Sequence, residues 1–294
     1  MTPTLAGSAE SAKLPSAFSW PTIAWVSLLL LAGYAPVLVR LVENWNNDPD
    51  MGHAFFVPVI AGYIAWKKKD QLEGIAPETN WWGLAVMIWA ALQYYVGTVG
   101  AELFLTRTSL VITIIGTVLL VGGTRYLKTF GFPLFLLFFM VPIPALIYNQ
   151  VTFPLQLLAS RAAEGAISLL QIPVIREGNV LELSSQKLNV VEACSGIRSL
   201  LTLTFLSLVY GYFFERRIWL RIVLFFSTIP IAIVANAGRV TLTGVVSEFR
   251  ADLAEGLFHE AQGWVIFMVA LFILVALHQT IVRIFHLSGG DQRA

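Results

Sequence analysis

Apolar runs, each about as long as a membrane is thick, constrain this chain more than any other feature. A helix needs about 20 mainly apolar residues to cross the roughly 30 Å hydrocarbon core of a bilayer. Eight candidate runs follow one another, at 20–42, 54–66, 81–99, 103–121, 130–148, 196–214, 218–235 and 263–285. The sequence therefore predicts an all-α polytopic membrane protein with about eight transmembrane helices, or seven if the short second run does not cross.

The composition supports this class and excludes several others. The chain is 57% hydrophobic and 13% charged, with a mean hydropathy of +0.73, which is more apolar surface than a soluble core absorbs. A net charge of +1 argues against nucleic-acid binding, which needs clustered basic residues. One cysteine excludes an intrachain disulfide, and four scattered histidines give no metal-binding pattern, so we expect no metal and no cofactor.

The basic residues predict the orientation of the spans. With a cytoplasmic N-terminus, the basic residues that flank the spans fall on the cytoplasmic side, as the positive-inside rule requires: Lys67, Lys68, Lys69, Arg125, Lys128, Arg216, Arg217, Arg221 and Arg283. Both termini are then cytoplasmic. We expect a single membrane domain over 1–294, with 1–19 as a flexible cytoplasmic N-terminus. Segments 149–194 and 239–262 then lie on the outer face.

The outer segment 149–194 combines two patterns. Residues 152–172 have the amphipathic pattern of a helix that lies along the membrane surface. Residues 174–192 then alternate apolar and polar side chains, with turn candidates at Glu177 to Asn179 and at Ser184 and Ser185. Strands cannot sit unpaired in lipid. The sequence therefore predicts a small β-hairpin or meander outside the membrane, immediately before the cysteine.

Cys194 directly precedes the sixth apolar run. A thiolate at a helix start faces unpaired backbone N–H groups and the positive end of the helix dipole, which favour it, whereas Glu192 opposes it. Arg198 lies four residues later, on the same helix face, where it would hold the thiolate or a substrate carboxylate. The alternatives are a small buried apolar cysteine and an arginine that reaches the outer headgroups.

Two further outer segments carry polar residues of catalytic type. Asn236 and Arg239 lie three residues apart near the end of the seventh run, and His259 and Glu260 precede the last run. A histidine titrates near neutral pH and transfers protons to and from a thiol nucleophile. The predicted topology brings Cys194, Arg239 and His259 to one face of the membrane. A conventional interfacial arginine is the alternative for Arg239.

His53 also falls on the outer face, beside Asp50 at the start of the second run. It is either part of the same cavity or a polar anchor at the membrane interface.

Four segments together resemble the exosortase and archaeosortase family of membrane-embedded cysteine transpeptidases. They are GHAFFVP at 52–58, NVLELSSQKLNVVEACSGIRSL at 179–200, NAGRVTLTG at 236–244 and HEAQGW at 259–264, in the order of the family. The segment ACSGIR is the most specific of them.

The resemblance implies a site and a reaction. Cys194 is the nucleophile, Arg239 and His259 complete the triad, and Arg198, Asn236, His53 and Glu260 are the candidates for substrate-binding or supporting roles. The implied substrates are exported proteins whose C-terminal signal has a short motif such as Pro-Glu-Pro, a transmembrane helix and a basic tail. The substrate protein would be cleaved at the outer face of the bacterial inner membrane, with a thioester to the enzyme as the intermediate. It would then be transferred to a lipid or glycan acceptor.

A different class of function remains open from the residues alone. A non-enzymatic transporter or flippase of anionic envelope precursors would use Arg107, Arg198 and Arg239 to line its pathway and would not need the cysteine. Substitution of Cys194 by alanine separates this alternative from a thiol enzyme.

Overall fold

The fold is described from a computed structural model of the 294-residue chain. The described residues are 20–72, 75–184, 186–190, 196–249 and 257–285. The chain divides into two compact units, Met1–Pro142 and Ile143–Ala294, which we call unit 1 and unit 2.

Unit 1 is helical in its described part. Its helices are α1 (Trp20–Gly33), α2 (Ala35–Asn47), α3 (Phe56–Lys68), α4 (Trp82–Val99) and α5 (Leu103–Leu136). Three short 3₁₀ helices accompany them, at Pro49–Met51, Lys69–Leu72 and Leu137–Met140.

The predicted first span is a bent helix pair. α1 and α2 meet near Tyr34 at an angle of 73°. Pro36, in the first turn of α2, has no N–H to continue the hydrogen bonding of α1, which explains the break. The Tyr34 hydroxyl is buried at the bend and lies 2.7 Å from the Thr113 hydroxyl of α5.

Glycines allow α4 and α5 to pack with their backbones close together. A β-carbon on Gly83 would lie 2.2 Å from the backbone nitrogen of Leu120 and 2.6 Å from the carbonyl oxygen of Gly116. Gly123 interrupts α5 with a φ of 75°, and a β-carbon there would lie 2.5 Å from the carbonyl oxygen of Glu78. Small residues at such contacts are typical of helix pairs in membranes.

In unit 2, one helix precedes a small sheet in the chain and three helices follow it. In chain order its elements are α6 (Ala145–Leu169), β1 (Val174–Glu177), β2 (Val180–Leu183), β3 (Lys187–Asn189), α7 (Gly196–Phe214), α8 (Ile218–Phe249) and α9 (Leu257–Ile284). The strands form an antiparallel sheet in the order β1-β2-β3, which confirms the predicted meander. Gly178, with a φ of 64°, occupies the predicted first turn.

The sheet is held by a core that it shares with α6 and α8. The members of this core are Ala163, Ile167, Ile172, Leu181, Leu183, Leu188, Val190 and Val240. An ion pair also joins the sheet to α6: Arg176 Nε of β1 lies 2.7 Å from Glu164 Oε2 of α6. The helix predicted at 152–172 is present, although it starts earlier, at Ala145.

The described part of the chain contains four helices long and apolar enough to cross a membrane, or five if the bent pair counts as one span. The four are Trp82–Val99, Leu103–Met140, Ile218–Phe249 and Ala261–Ile284. This confirms a mainly helical membrane protein, whereas the count of eight spans stays a prediction.

Besides the bent first span, two further predicted spans differ from single full-length helices. The second corresponds to α3, whose 13 residues rise only about 20 Å. The fifth, at 130–148, is divided between the end of α5, the 3₁₀ helix Leu137–Met140 and the start of α6. Pro142 and Pro144 lie in the gap, where neither can donate a backbone hydrogen bond.

Candidate active site

Arg239 of α8 packs against a glycine of α9. A β-carbon built on Gly263 would lie 3.3 Å from Nη2 and 3.4 Å from Cζ of Arg239. Contacts of this length are tight, so a side chain at position 263 would require the guanidinium to give way by a few tenths of an ångström. The position of Arg239 is therefore coupled to the start of α9.

Gln262 joins the same two helices through its side-chain amide. Its Nε2 donates to the backbone carbonyl of Arg239 at 3.0 Å, and its Oε1 accepts from Thr243 Oγ1 at 3.2 Å. Gln262 is only 5% exposed, so both bonds are shielded from competition. Sequence reasoning missed Gln262 and Gly263 as positioning residues. The available signal was their place inside the HEAQGW segment, at the start of an apolar helix.

Asn236 lies one helical turn before Arg239 and is buried. Among the described residues, no hydrogen-bond partner reaches its Nδ2. Asn236 and Leu200 of α7 line a common cavity of about 10 Å³, which is room for about one water molecule. Asn236 therefore lies close to the start of α7.

The chain approaches the same part of α8 from the sheet. Val190 follows β3, is fully buried, and belongs to the core that contains Val240, the neighbour of Arg239. The backbone N–H of Val190 donates to the carbonyl of Asn179 at 3.0 Å, which fixes the end of the sheet. The described chain thus meets residues 236–240 of α8 both before and after segment 191–195.

The predicted site residues lie in several parts of the chain. Cys194 lies outside the described residues. Asn236 and Arg239 lie on α8, and Arg198 is exposed in the first turn of α7. His259 and Glu260 belong by their backbone to the first turn of α9. Because His259 precedes Gly263 by four residues, the two positions share a helix face.

His53 lies in unit 1, between a 3₁₀ helix and α3, and is 6% exposed. Burial lowers the pKa of His53 below its ordinary value, although its hydrogen bonds to backbone groups of Phe139 and Asp50 and the charge of Asp50 oppose this effect. These contacts connect the start of α3 to the end of the α5 segment. Whether His53 takes part in the site stays a prediction.

A second polar cluster lies at the opposite ends of α8 and α9. His278 Nε2 lies 3.1 Å from Glu215 Oε2, and His278 Nδ1 lies 2.8 Å from the Tyr210 hydroxyl. Burial raises the pKa of Glu215, but the backbone donors of Arg217 and Arg216 and the bond with His278 together lower it below its ordinary value. The sequence had not paired these residues, which lie 63 positions apart in the case of Glu215 and His278.

The described ranges contain no cluster of three or more histidine, cysteine, aspartate or glutamate side chains arranged to hold a metal ion.

Comparison with known proteins identifies the family. The profile of the transmembrane exosortase family (Exosortase_EpsH) matches residues 45–276 of the 294. No curated protein and no solved structure matches the chain. The matched range includes all four segments that carry the resemblance in the sequence, from GHAFFVP to HEAQGW. The family is one of membrane transpeptidases that act in protein sorting. This chain belongs to the transmembrane exosortase family.

Proposed function

We propose that this protein is a membrane-embedded cysteine transpeptidase that cleaves the C-terminal sorting signal of exported proteins and transfers them to a cell-envelope acceptor. Cys194, Arg239 and His259 form its catalytic set. Arg198, Asn236, His53 and Glu260 bind substrate or support these three. The signal consists of a short motif, a transmembrane helix and a basic tail.

The observation that carries this proposal is the convergence of the chain on one stretch of α8. Val190, before segment 191–195, belongs to the same buried core as Val240, and Leu200, after the segment, lines a cavity with Asn236. In the sequence, Cys194 follows Val190 by four residues and precedes Leu200 by six. Arg239 lies inside the stretch that these two contacts bracket.

The contact of Arg239 with Gly263 supports the role of His259. The guanidinium lies against α9 one turn after His259, on the helix face that both positions share. A general acid must act within hydrogen-bond reach of the leaving group, close to the charge that stabilises the oxyanion. The anchored Arg239 therefore makes His259 the nearest histidine position along α9 for this task.

The reaction proceeds in two acyl transfers. The Cys194 thiolate attacks the scissile carbonyl, and the Arg239 guanidinium stabilises the negative charge that develops on its oxygen. The C–N bond then breaks, the His259 imidazolium protonates the departing amine, and a thioester remains. Neutral His259 next takes a proton from the acceptor nucleophile, which attacks the thioester and releases the thiolate. Water as the acceptor makes the protein a protease, and a lipid amine or a glycan makes it a transpeptidase.

The distribution of basic residues supports the orientation that we propose. The protein spans the bacterial inner membrane eight times, with both termini in the cytoplasm. Its site opens on the periplasmic face, where exported substrates arrive. The basic residues that flank the spans, such as Lys67 and Arg216, then stay on the cytoplasmic side.

The test is the mass of a co-expressed exported protein that carries such a signal, taken from the same genome. Wild type should release the C-terminal tail, and Cys194→Ala should leave it intact. Ser199→Ala, a polar-to-alanine change five residues later, is the matched control and should behave as wild type. Any mass added to the processed protein identifies the acceptor.

Release of the tail by Cys194→Ala at the wild-type rate would refute the proposal. An intact tail in wild type, across the signals of that genome, would favour a transporter instead.

A further inference from the structure

Unit 1 contains a cavity of about 290 Å³ that the proposed reaction does not use. Residues of α2, α4 and α5 line it, and Pro36, Val37, Tyr94 and Leu103 supply apolar wall. A water molecule takes up about 30 Å³ of liquid, so the cavity has room for a small polar headgroup. Two arginines, Arg40 and Arg107, also line it.

Arg107 is buried at this cavity, and part of its guanidinium lacks a hydrogen-bond partner in the described chain. It is 7% exposed, and no acceptor among the described residues reaches its Nε. Glu102 is the acidic residue that attracts it, but the Glu102 carboxylate caps α5 by accepting from the backbone N–H of Leu105 at 3.3 Å. An arginine in a membrane helix is costly unless something compensates its charge.

Arg40 adds a second positive charge to the cavity lining, which favours an anionic ligand. It is exposed, lines the same cavity, and lies close enough to Arg107 to repel it electrostatically. Two cations at one cavity cost free energy unless an anion lies between them. A phosphate group accepts hydrogen bonds from guanidinium groups in a bidentate manner, which suits both side chains.

The threonine hydroxyls of the cavity do not favour a neutral polar ligand. Thr98 Oγ1 donates its proton to the carbonyl of Tyr94 at 2.8 Å, and Thr106 Oγ1 donates to the carbonyl of Leu103 at 2.9 Å. Apart from the Tyr94 hydroxyl, the guanidinium groups are then the remaining side-chain donors among the residues that line the cavity. This arrangement selects a ligand that accepts hydrogen bonds and carries negative charge.

The surroundings of the cavity indicate that the anion carries acyl chains. Large apolar side chains next to its lining residues are exposed, with Val39 58%, Tyr95 66% and Val99 70% exposed. In a membrane protein such side chains face lipid tails. A phospholipid would place its phosphate at the arginines and leave its tails along this apolar surface.

We propose that the cavity between α2, α4 and α5 binds the phosphate group of an anionic phospholipid, with Arg107 as its principal ligand and Arg40 as a second cation. The site lies in unit 1 and does not depend on the proposed transpeptidase reaction.

The test compares lipid binding and thermal stability of the full-length protein purified in neutral detergent. The probes are short-chain phosphatidylglycerol and, in a separate arm, inorganic phosphate. The variants are Arg107→Met and Arg40→Met. Arg125→Met is the matched control, because Arg125 lies on the same helix but is exposed away from the cavity lining. Bound lipid is counted by native mass spectrometry.

We expect Arg107→Met to weaken phosphatidylglycerol binding by about 10- to 100-fold, since hydrogen bonds to charged groups are lost. Arg40→Met, which disturbs no buried group, should weaken it by about fivefold. Arg125→Met should bind as wild type. Without lipid, Arg107→Met should melt no lower than wild type, because it removes a buried charge whose Nε has no hydrogen-bond acceptor in the described chain. Phosphatidylglycerol should then raise the melting temperature of wild type more than that of Arg107→Met.

Equal lipid binding by wild type, Arg107→Met and Arg40→Met would overturn the proposal. So would stabilisation by inorganic phosphate together with none by phosphatidylglycerol, because the source of the phosphate would then not be a lipid. A lower melting temperature of lipid-free Arg107→Met, with lipid binding unchanged, would assign Arg107 a purely structural role and would also overturn it.

Discussion

The two ends of the α8–α9 pair carry buried polar groups in different states of pairing. At one end, both ring nitrogens of His278 have partners, Glu215 and Tyr210. At the other end, the buried Nδ2 of Asn236 has no hydrogen-bond partner within the described chain. A complete network stabilises a fold, whereas an unused buried donor is typical of a functional site. The same helix pair therefore combines an end with complete pairing, which we call the structural end, with an end that has an unused donor, which is the reactive end in the proposed function.

The largest effect on stability should come from the structural end. His278→Phe keeps a ring of similar size but removes a donor from the buried Glu215 carboxylate, and should lower the free energy of unfolding by about 1.5–3 kcal/mol. Tyr210→Phe removes only one neutral hydrogen bond and should cost about 1 kcal/mol. Thermal unfolding in detergent measures both. Reduced processing per folded molecule in either variant would contradict the division of roles.

At the reactive end, we expect substitutions to change the rate of tail release. Gly263→Ala places a methyl group 3.3 Å from Arg239 Nη2, so the guanidinium must give way by a few tenths of an ångström. We expect the rate of tail release to fall by about tenfold, because small displacements of catalytic groups are costly. Gly238→Ala is the matched control, since nothing lies within 4 Å of a β-carbon there. Equal rates for the two variants would show that Arg239 does not act from its observed position.

The smallest predicted effect is on the pH dependence of stability, and it comes from Glu215 at the structural end. The folded protein holds the pKa of Glu215 below its ordinary value of 4.5, so its carboxylate contributes stability above that pH. This contribution is lost as the pH falls below 4.5 through the lower folded pKa. Glu215→Gln should therefore flatten the decline of melting temperature between about pH 5 and 3. An unchanged slope would show that Glu215 does not set the acid response.

The features that the sequence predicted well depend on local patterns. The meander follows from alternation in Val180–Leu183 and from the turn at Gly178. The segments around Cys194, Arg239 and His259 resembled a family that the comparison then confirmed. The catalytic roles of these three residues stay a prediction.

The boundaries and contacts that the sequence missed depend on geometry. Hydropathy averages over a window, so the run at 130–148 concealed Pro142 and Pro144, and the first run concealed the bend at Pro36. The sequence also did not predict contacts between residues that lie far apart in the chain. The bond from Gln262 to Arg239 and the cavity shared by Arg40 and Arg107 arise only when distant helices pack.

The core shared by Val190 and Val240 also has a consequence for biosynthesis. A membrane protein is made from its N-terminus, so the sheet emerges from the ribosome before α8 does. Val190 cannot be enclosed until Val240 has been synthesised and inserted. Under the proposed function, the peptidase would consequently become active only after α8 has been made and inserted.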